Sequence, residues 1–131
     1  MISYRSLLLV GVIAGAILGS FPALAAEWKP FSQAVLAEAQ KAGKSILVDI
    51  HAPWCPVCRA QKPILEEFTA EPQYKNLVVL VVDFDNQKAD VRALKAQVQS
   101  TLIAYKGQTE VARSVGDTNA NSIAALLMRT L

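Results

Sequence analysis

Cys55 and Cys58 are the only cysteines of a 131-residue chain, and they stand at i and i+3 in Trp54-Cys55-Pro56-Val57-Cys58. Two thiols one helical turn apart suit dithiol–disulfide exchange. At a helix start, the backbone N–H groups and the helix dipole favour a thiolate on the first of them. A free thiol near pKa 8.5 falls to about 3.5–7.5 in such settings, and each tenfold gain in ionisation is worth about 1.4 kcal/mol. Cys55 is therefore expected to be exposed and to attack, and Cys58, one turn inside, to resolve the mixed disulfide. Pro56 fits the first helical position, where a missing N–H loses nothing. Two other readings stand beside this one. A structural disulfide would close a ring of about four residues and constrain the unfolded chain by only about 2 kcal/mol, a poor staple. The pair could also supply two ligands to Cu(I) or Zn(II); His51, the only histidine, is near, but there is no second cysteine pair.

Thiols at such a junction need a strand before them and a helix after them. Ser45 to Ile50 reads as a short buried strand, apolar inside except at Asp49, and His51 to Trp54 as a loop. From Pro56 onward, Val57, Ala60, Ile64, Leu65 and Phe68 recur at helical spacing, with Pro63 expected to kink the helix. Upstream, Trp28 to Phe31 reads as a lead-in, and Ser32 as the N-cap of a helix over Gln33 to Ala42 that Gly43 stops. Downstream, Leu77 to Val82 is a continuous apolar run, the pattern of a strand covered on both faces. Val91, Leu94 and Val98 mark another helix. Thr101 to Tyr105 and Glu110 to Ser114 form a hairpin about Lys106-Gly107-Gln108-Thr109. Asn119 or Asn121 starts a last helix with Ile123, Leu126, Leu127 and Leu131 on one face. The order α-β-α-β-α-β-β-α implies an α/β fold with a mixed central sheet flanked by helices.

The chain is 53% hydrophobic and 18% charged, against about 45–50% and 25% for average soluble domains, which excludes a disordered chain. A net charge of +2 with no basic cluster excludes a nucleic-acid binder. The apolar residues are unevenly spread. Arg5 is followed by an uncharged stretch from Ser6 to Ala26, with a dense apolar core from Leu7 to Leu18 and small residues before Glu27. This is the pattern of a secretory signal cleaved after Ala25 or Ala26. Residues 1–26 are read as a signal peptide and 27–131 as one domain, exported and periplasmic. If uncleaved, residues 6–26 are just long enough to anchor the chain in a bilayer.

Several positions around the thiols agree with one family. Trp54 precedes the first cysteine, Asp49 lies six residues before it, Pro63 lies five after Cys58, and Gly116 follows the last strand. In these features the chain from about Phe31 to Leu131 resembles a thioredoxin. The resemblance implies a thiol–disulfide oxidoreductase with Cys55 as nucleophile and Cys58 as resolving thiol. It implies no organic cofactor, the Cys55–Cys58 disulfide being the redox centre. Partners are expected to be protein thiols and disulfides, met by a monomer, with a membrane protein as electron source if the chain is a reductant. Pro56-Val57 tune a potential that spans about −270 to −120 mV among relatives. Asp49 resembles the family's buried proton acceptor for the resolving thiol; burial raises a carboxyl pKa, while a partly wet strand-end Asp is the plainer reading. Val81 falls where many thioredoxins carry a lysine near that carboxylate, so Asp49 is expected to protonate more readily. His51 is either loop packing or a cation beside the Cys55 thiolate. Trp54, Pro56 and the Gln99–Ser100 backbone correspond to the substrate-facing surface.

The chain departs from the family at one place. Ser100 stands where thioredoxins carry a cis-proline facing the thiols, and a Gln99–Ser100 peptide without proline is expected to be trans. Its hydroxyl is expected to hydrogen-bond the Cys55 thiolate, and loss of the shielding ring favours metal access. A metal-binding dithiol protein, or a redox-inactive interaction module of the same fold, is the alternative function.

Overall fold

A computed structural model describes Gly19 and residues 24–131. The proposed signal core therefore lies outside the described residues. Among the described residues no helix is long and apolar enough to cross a membrane. Five strands form one sheet: β1 (Glu27–Pro30), β2 (Ser45–His51), β3 (Leu77–Asp83), β4 (Thr101–Lys106) and β5 (Thr109–Val115). Their spatial order is β1-β3-β2-β4-β5. β3 runs parallel to both β1 and β2, while β4 is antiparallel to β2 and β5 to β4. The helices are α1 (Gln33–Lys41), α2 (Pro56–Thr69), α3 (Lys88–Ala93) and α4 (Ala120–Met128), with a 3₁₀ turn at Pro72–Tyr74. The expected mixed α/β sheet is thus present.

Local chemistry accounts for most element ends. Ser32 Oγ accepts the Val35 N–H at 3.1 Å and caps α1. Gly43, at φ +68°, closes it: the N–H groups of Gly43 and Lys44 reach back to the carbonyls of Gln40 and Ala39. Asn119, one of the two expected starts, caps α4 by accepting from the N–H groups of Asn121 and Ser122. A two-residue turn at Gly107-Gln108 joins β4 to β5.

The sheet is covered on both faces. Ile46, Val48, Ile50, Leu80, Val82 and Ile103 pack with Phe31, Leu36 and Val91 on the side of α1 and α3. Leu47, Val79, Leu102 and Ala104 pack with Leu65, Ile123 and Leu127 on the side of α2 and α4. Full burial of Leu77 to Leu80 and of Val82 explains why that strand reads as an unbroken apolar run.

Four expectations are corrected. Trp28–Phe31 is no mere lead-in, because Glu27–Pro30 pairs with Val78–Val81 as an edge strand. Its proline is tolerated at an edge, where a ladder N–H can be spared. The helix through Val91 ends at Ala93: Lys95 turns to φ +55° and Val98 is 41% exposed rather than on a buried helical face. On α2, Ala60 is exposed and Gln61 takes the inward position. Leu131 lies beyond α4 and is partly exposed.

Candidate active site

β2 delivers the thiols to the end of the sheet and α2 begins on them. Cys55 is the N-cap of α2, with Pro56 at the first helical position. Its sulfur accepts the Cys58 N–H at 3.2 Å, so the thiol itself satisfies one of the N–H groups a helix start leaves unpaired. Both cysteines are unbridged. Neither is open: Cys55 and Cys58 are each 1% exposed and cluster with Ala52, against which Val57 and Phe84 pack. The expected exposed nucleophile is therefore corrected to a covered one, with Cys58 the deeper of the two. Cys55 lies at the tip of the α2 N-terminus, packed with Ala52 of the preceding loop.

The two thiols are driven in opposite directions. Burial pushes Cys55 up, but the Cys58 thiol, the Cys58 N–H, the Gln99 side chain and the Val57 N–H all donate to its sulfur and hold it below its ordinary value. Cys58 is pushed up to about 11, first by burial, then by its hydrogen bond to Cys55 and the charges of Cys55 and Asp49, against one opposing N–H from Ala52. A pair held this way ionises at Cys55 and keeps its proton at Cys58.

Asp49 sits on β2 opposite Val81 of β3 and Leu102 of β4, on the α2 face of the sheet. It is 6% exposed, and burial raises its pKa to about 6. Lys62, one turn beyond Cys58 on α2, pulls the other way. Lys62 is a site residue that sequence spacing missed, because it reaches Asp49 from the helix rather than from the Val81 position. Asp49, Lys62, His51, Trp28 and Val81 line a cavity of about 180 Å³, which gives the buried carboxylate a route to solvent. His51 belongs to this cavity and is not among the partners of Cys55; burial and Lys62 lower its pKa, with Asp83 opposing, so it is neutral. The reading of His51 as a cation beside the thiolate is therefore corrected.

Around the thiols, Trp54 is 53% exposed, its indole N–H donating to Asp85 at 2.8 Å and its ring edge-on to Phe84. Pro56 is exposed beside it. Across from them lies the Gln99–Ser100 turn. Its peptide is trans, there being no cis peptide among the described residues. Ser100 Oγ donates to the Gln99 carbonyl at 2.5 Å, so the hydroxyl is not on Cys55 as expected. Among the described residues no three His, Cys, Asp or Glu side chains converge to hold a metal ion.

The thioredoxin family model matches residues 24–129. The chain is 32% identical to the thioredoxin of Chlamydia trachomatis over 84 residues, 64% of this chain and 80% of the relative. It is 43% identical to thioredoxin-2 of Saccharomyces cerevisiae over 75 residues, 56% of this chain and 68% of the relative. In three dimensions it resembles Trxlp from Edwardsiella tarda, with a TM-score of 0.75, 40% identity, and cover of 77% of this chain and 98% of that one. The chain belongs to the thioredoxin family of thiol–disulfide oxidoreductases.

Proposed function

We propose that this oxidoreductase exchanges disulfides with protein thiols after export, through Cys55 as nucleophile and Cys58 as resolving thiol. The observation that carries the reading is the split between the thiols: Cys55 is held low at the α2 N-cap while Cys58 is held at about 11. In the reductive direction the Cys55 thiolate attacks one sulfur of a substrate disulfide and the other leaves as a thiolate. Forming the mixed disulfide removes the charge on Cys55 and its hydrogen bond to Cys58. Those are two of the influences that keep the Cys58 proton on. Asp49, ionised at neutral pH because its pKa is about 6, then accepts that proton and passes it to solvent through the adjoining cavity. The Cys58 thiolate attacks the Cys55 sulfur, the second substrate thiolate leaves, and two electrons have passed to the substrate. Reversal of the same steps oxidises a dithiol. Trp54 and Pro56 offer exposed surface beside the thiols, and Gln99 and Ser100 offer the opposite wall, for a substrate chain to dock against.

Export rests on the uncharged stretch from Ser6 to Ala26 with its small residues before Glu27. Fractionation of cells expressing the full chain is expected to recover it outside the cytoplasm, shortened by 25 or 26 residues. Reduction of a protein disulfide by the purified protein tests the chemistry. Turnover is expected in the wild type and none in Cys55→Ser, while Cys58→Ser accumulates the mixed disulfide. Turnover retained by Cys55→Ser, or metal retained without turnover in the wild type, overturns the reading.

A further inference from the structure

Asp49 is buried, so a proton it takes up has to leave through the cavity beside it. Asp49 and His51 stand two residues apart on β2. Their side chains therefore lie on one face of the sheet, with Cα atoms about 7 Å apart. Both line the cavity of about 180 Å³ that Lys62 lines from α2. At the carboxyl ends of β1, β3 and β2 lies a second space, an open groove of about 560 Å³ with Trp28, Pro53 and Asp83 exposed along it. Trp28, His51 and Val81 line both spaces, so these side chains form the partition between the buried carboxylate and the groove.

Of the three, His51 alone can carry a proton across. Val81 is apolar, and the Trp28 indole has a donor but no acceptor, directed at Thr69 Oγ1 at 3.3 Å. Lys62, on the inner side, is an ammonium with donors only. A neutral imidazole has one ring nitrogen that accepts and another that donates, so it can take a proton up at one and release one from the other. The charges facing His51 favour the outward direction. Lys62 repels a cation on the ring from the inner side, and Asp83, its register partner on β3, attracts one from the groove. Asp83 is held ionised by the N–H groups of Asp85 and Asn86 and by Asn86 Nδ2. Lys29, on β1, also lines the groove.

We propose that His51 is the proton relay of this site: its imidazole takes the Cys58 proton from Asp49 and releases a proton to solvent in the groove. An O–H bond breaks on Asp49 as an N–H bond forms on one ring nitrogen. The N–H on the other nitrogen then breaks, its proton goes to water, and the ring is left neutral in its other tautomer. The proposal rests on the reading of Asp49 as the acceptor of the Cys58 proton.

Stopped-flow reaction of the reduced, full-length protein with dithiobis(nitrobenzoate) tests it. Attack by Cys55 releases one coloured thiolate and resolution by Cys58 releases the second, so two phases report the two steps. His51→Phe keeps a ring without a proton site, and its second phase, relative to the first, is expected to slow about tenfold at neutral pH. That is less than the roughly hundredfold or more of a proton-transfer group lost outright, because the cavity still exchanges with solvent. His51→Gln, polar and without a titrating ring, is read in the same way and covers the case in which His51→Phe fails to fold. Free imidazole at the same pH is expected to restore the second phase in His51→Ala, a rescue that a merely packing role would not show. Asp49→Asn is expected to slow the same phase, and adding His51→Phe to slow it no further, because the two act in series. A second phase unslowed in either folded variant, a His51→Ala deficit that imidazole leaves in place, or full additivity with Asp49→Asn overturns the relay, while a slow Asp49→Asn keeps Asp49 as the acceptor. A second phase as fast in Asp49→Asn as in wild type overturns both.

Discussion

Asp49→Asn is the perturbation that bears most directly on the buried carboxylate. Burial lifts Asp49 from 3.8 to about 6. At about 1.4 kcal/mol per tenfold, keeping it ionised in the folded protein at neutral pH costs about 3 kcal/mol. The folded carboxyl holds its proton more tightly than the unfolded one. Wild-type stability from this group is therefore full below 3.8, falls as pH rises, and is lost once pH has passed about 6. Asparagine does not titrate, so any loss of packing or hydrogen bonding it brings is the same at every pH. The informative quantity is thus the wild-type stability minus the variant stability as a function of pH. About 2.5 kcal/mol of the decline falls between pH 4 and pH 7. With urea slopes of about 1–3 kcal/mol/M, that moves the difference in unfolding midpoint by about 1–2 M. Urea unfolding of the reduced proteins across this range measures it, and other titrating groups cancel in the difference. A difference curve flat from pH 4 to pH 7 would refute the argument that Asp49 is desolvated, and with it the supply of a base poised near neutrality.

Lys62 is the cation that opposes this burial. Lys62→Met is expected to push the falling limb of the same stability curve to higher pH, and an unshifted limb would show that the charge does not reach the carboxyl. Gly43 closes α1 at φ +68°, so Gly43→Ala is expected to destabilise by about 1 kcal/mol in urea unfolding, with no change in the Cys55 alkylation profile.

Periodicity and capping are local, and they made most of the fold legible. Ser32 and Gly43 bracket α1 because a side-chain oxygen and a residue free to take positive φ solve the unpaired ends of a helix within a few residues. The unbroken run at Leu77–Val82 announced a strand buried on both faces. β1 escaped because four residues, one of them proline, carry too little pattern, and its pairing partner lies some fifty residues away. Val98 was misplaced because helical spacing continued past Ala93, where Lys95 turns the chain out of the helix.

At the site, the two thiols one turn apart, the proline that starts the helix on them and an aspartate in the strand beneath are legible along the chain. Those features are set by neighbours along the chain. The tertiary structure decided what surrounds them. It closed Cys55 to solvent, turned the Ser100 hydroxyl onto the Gln99 carbonyl rather than the Cys55 sulfur, and brought Lys62 rather than His51's charge to bear on the buried centre. It also buried Gln61, an ordinary polar residue of a helix in the sequence, against a turn 39 residues away. Such contacts join elements whose approach is settled by packing on the sheet, and no local repeat encodes which polar side chain faces inward when they meet.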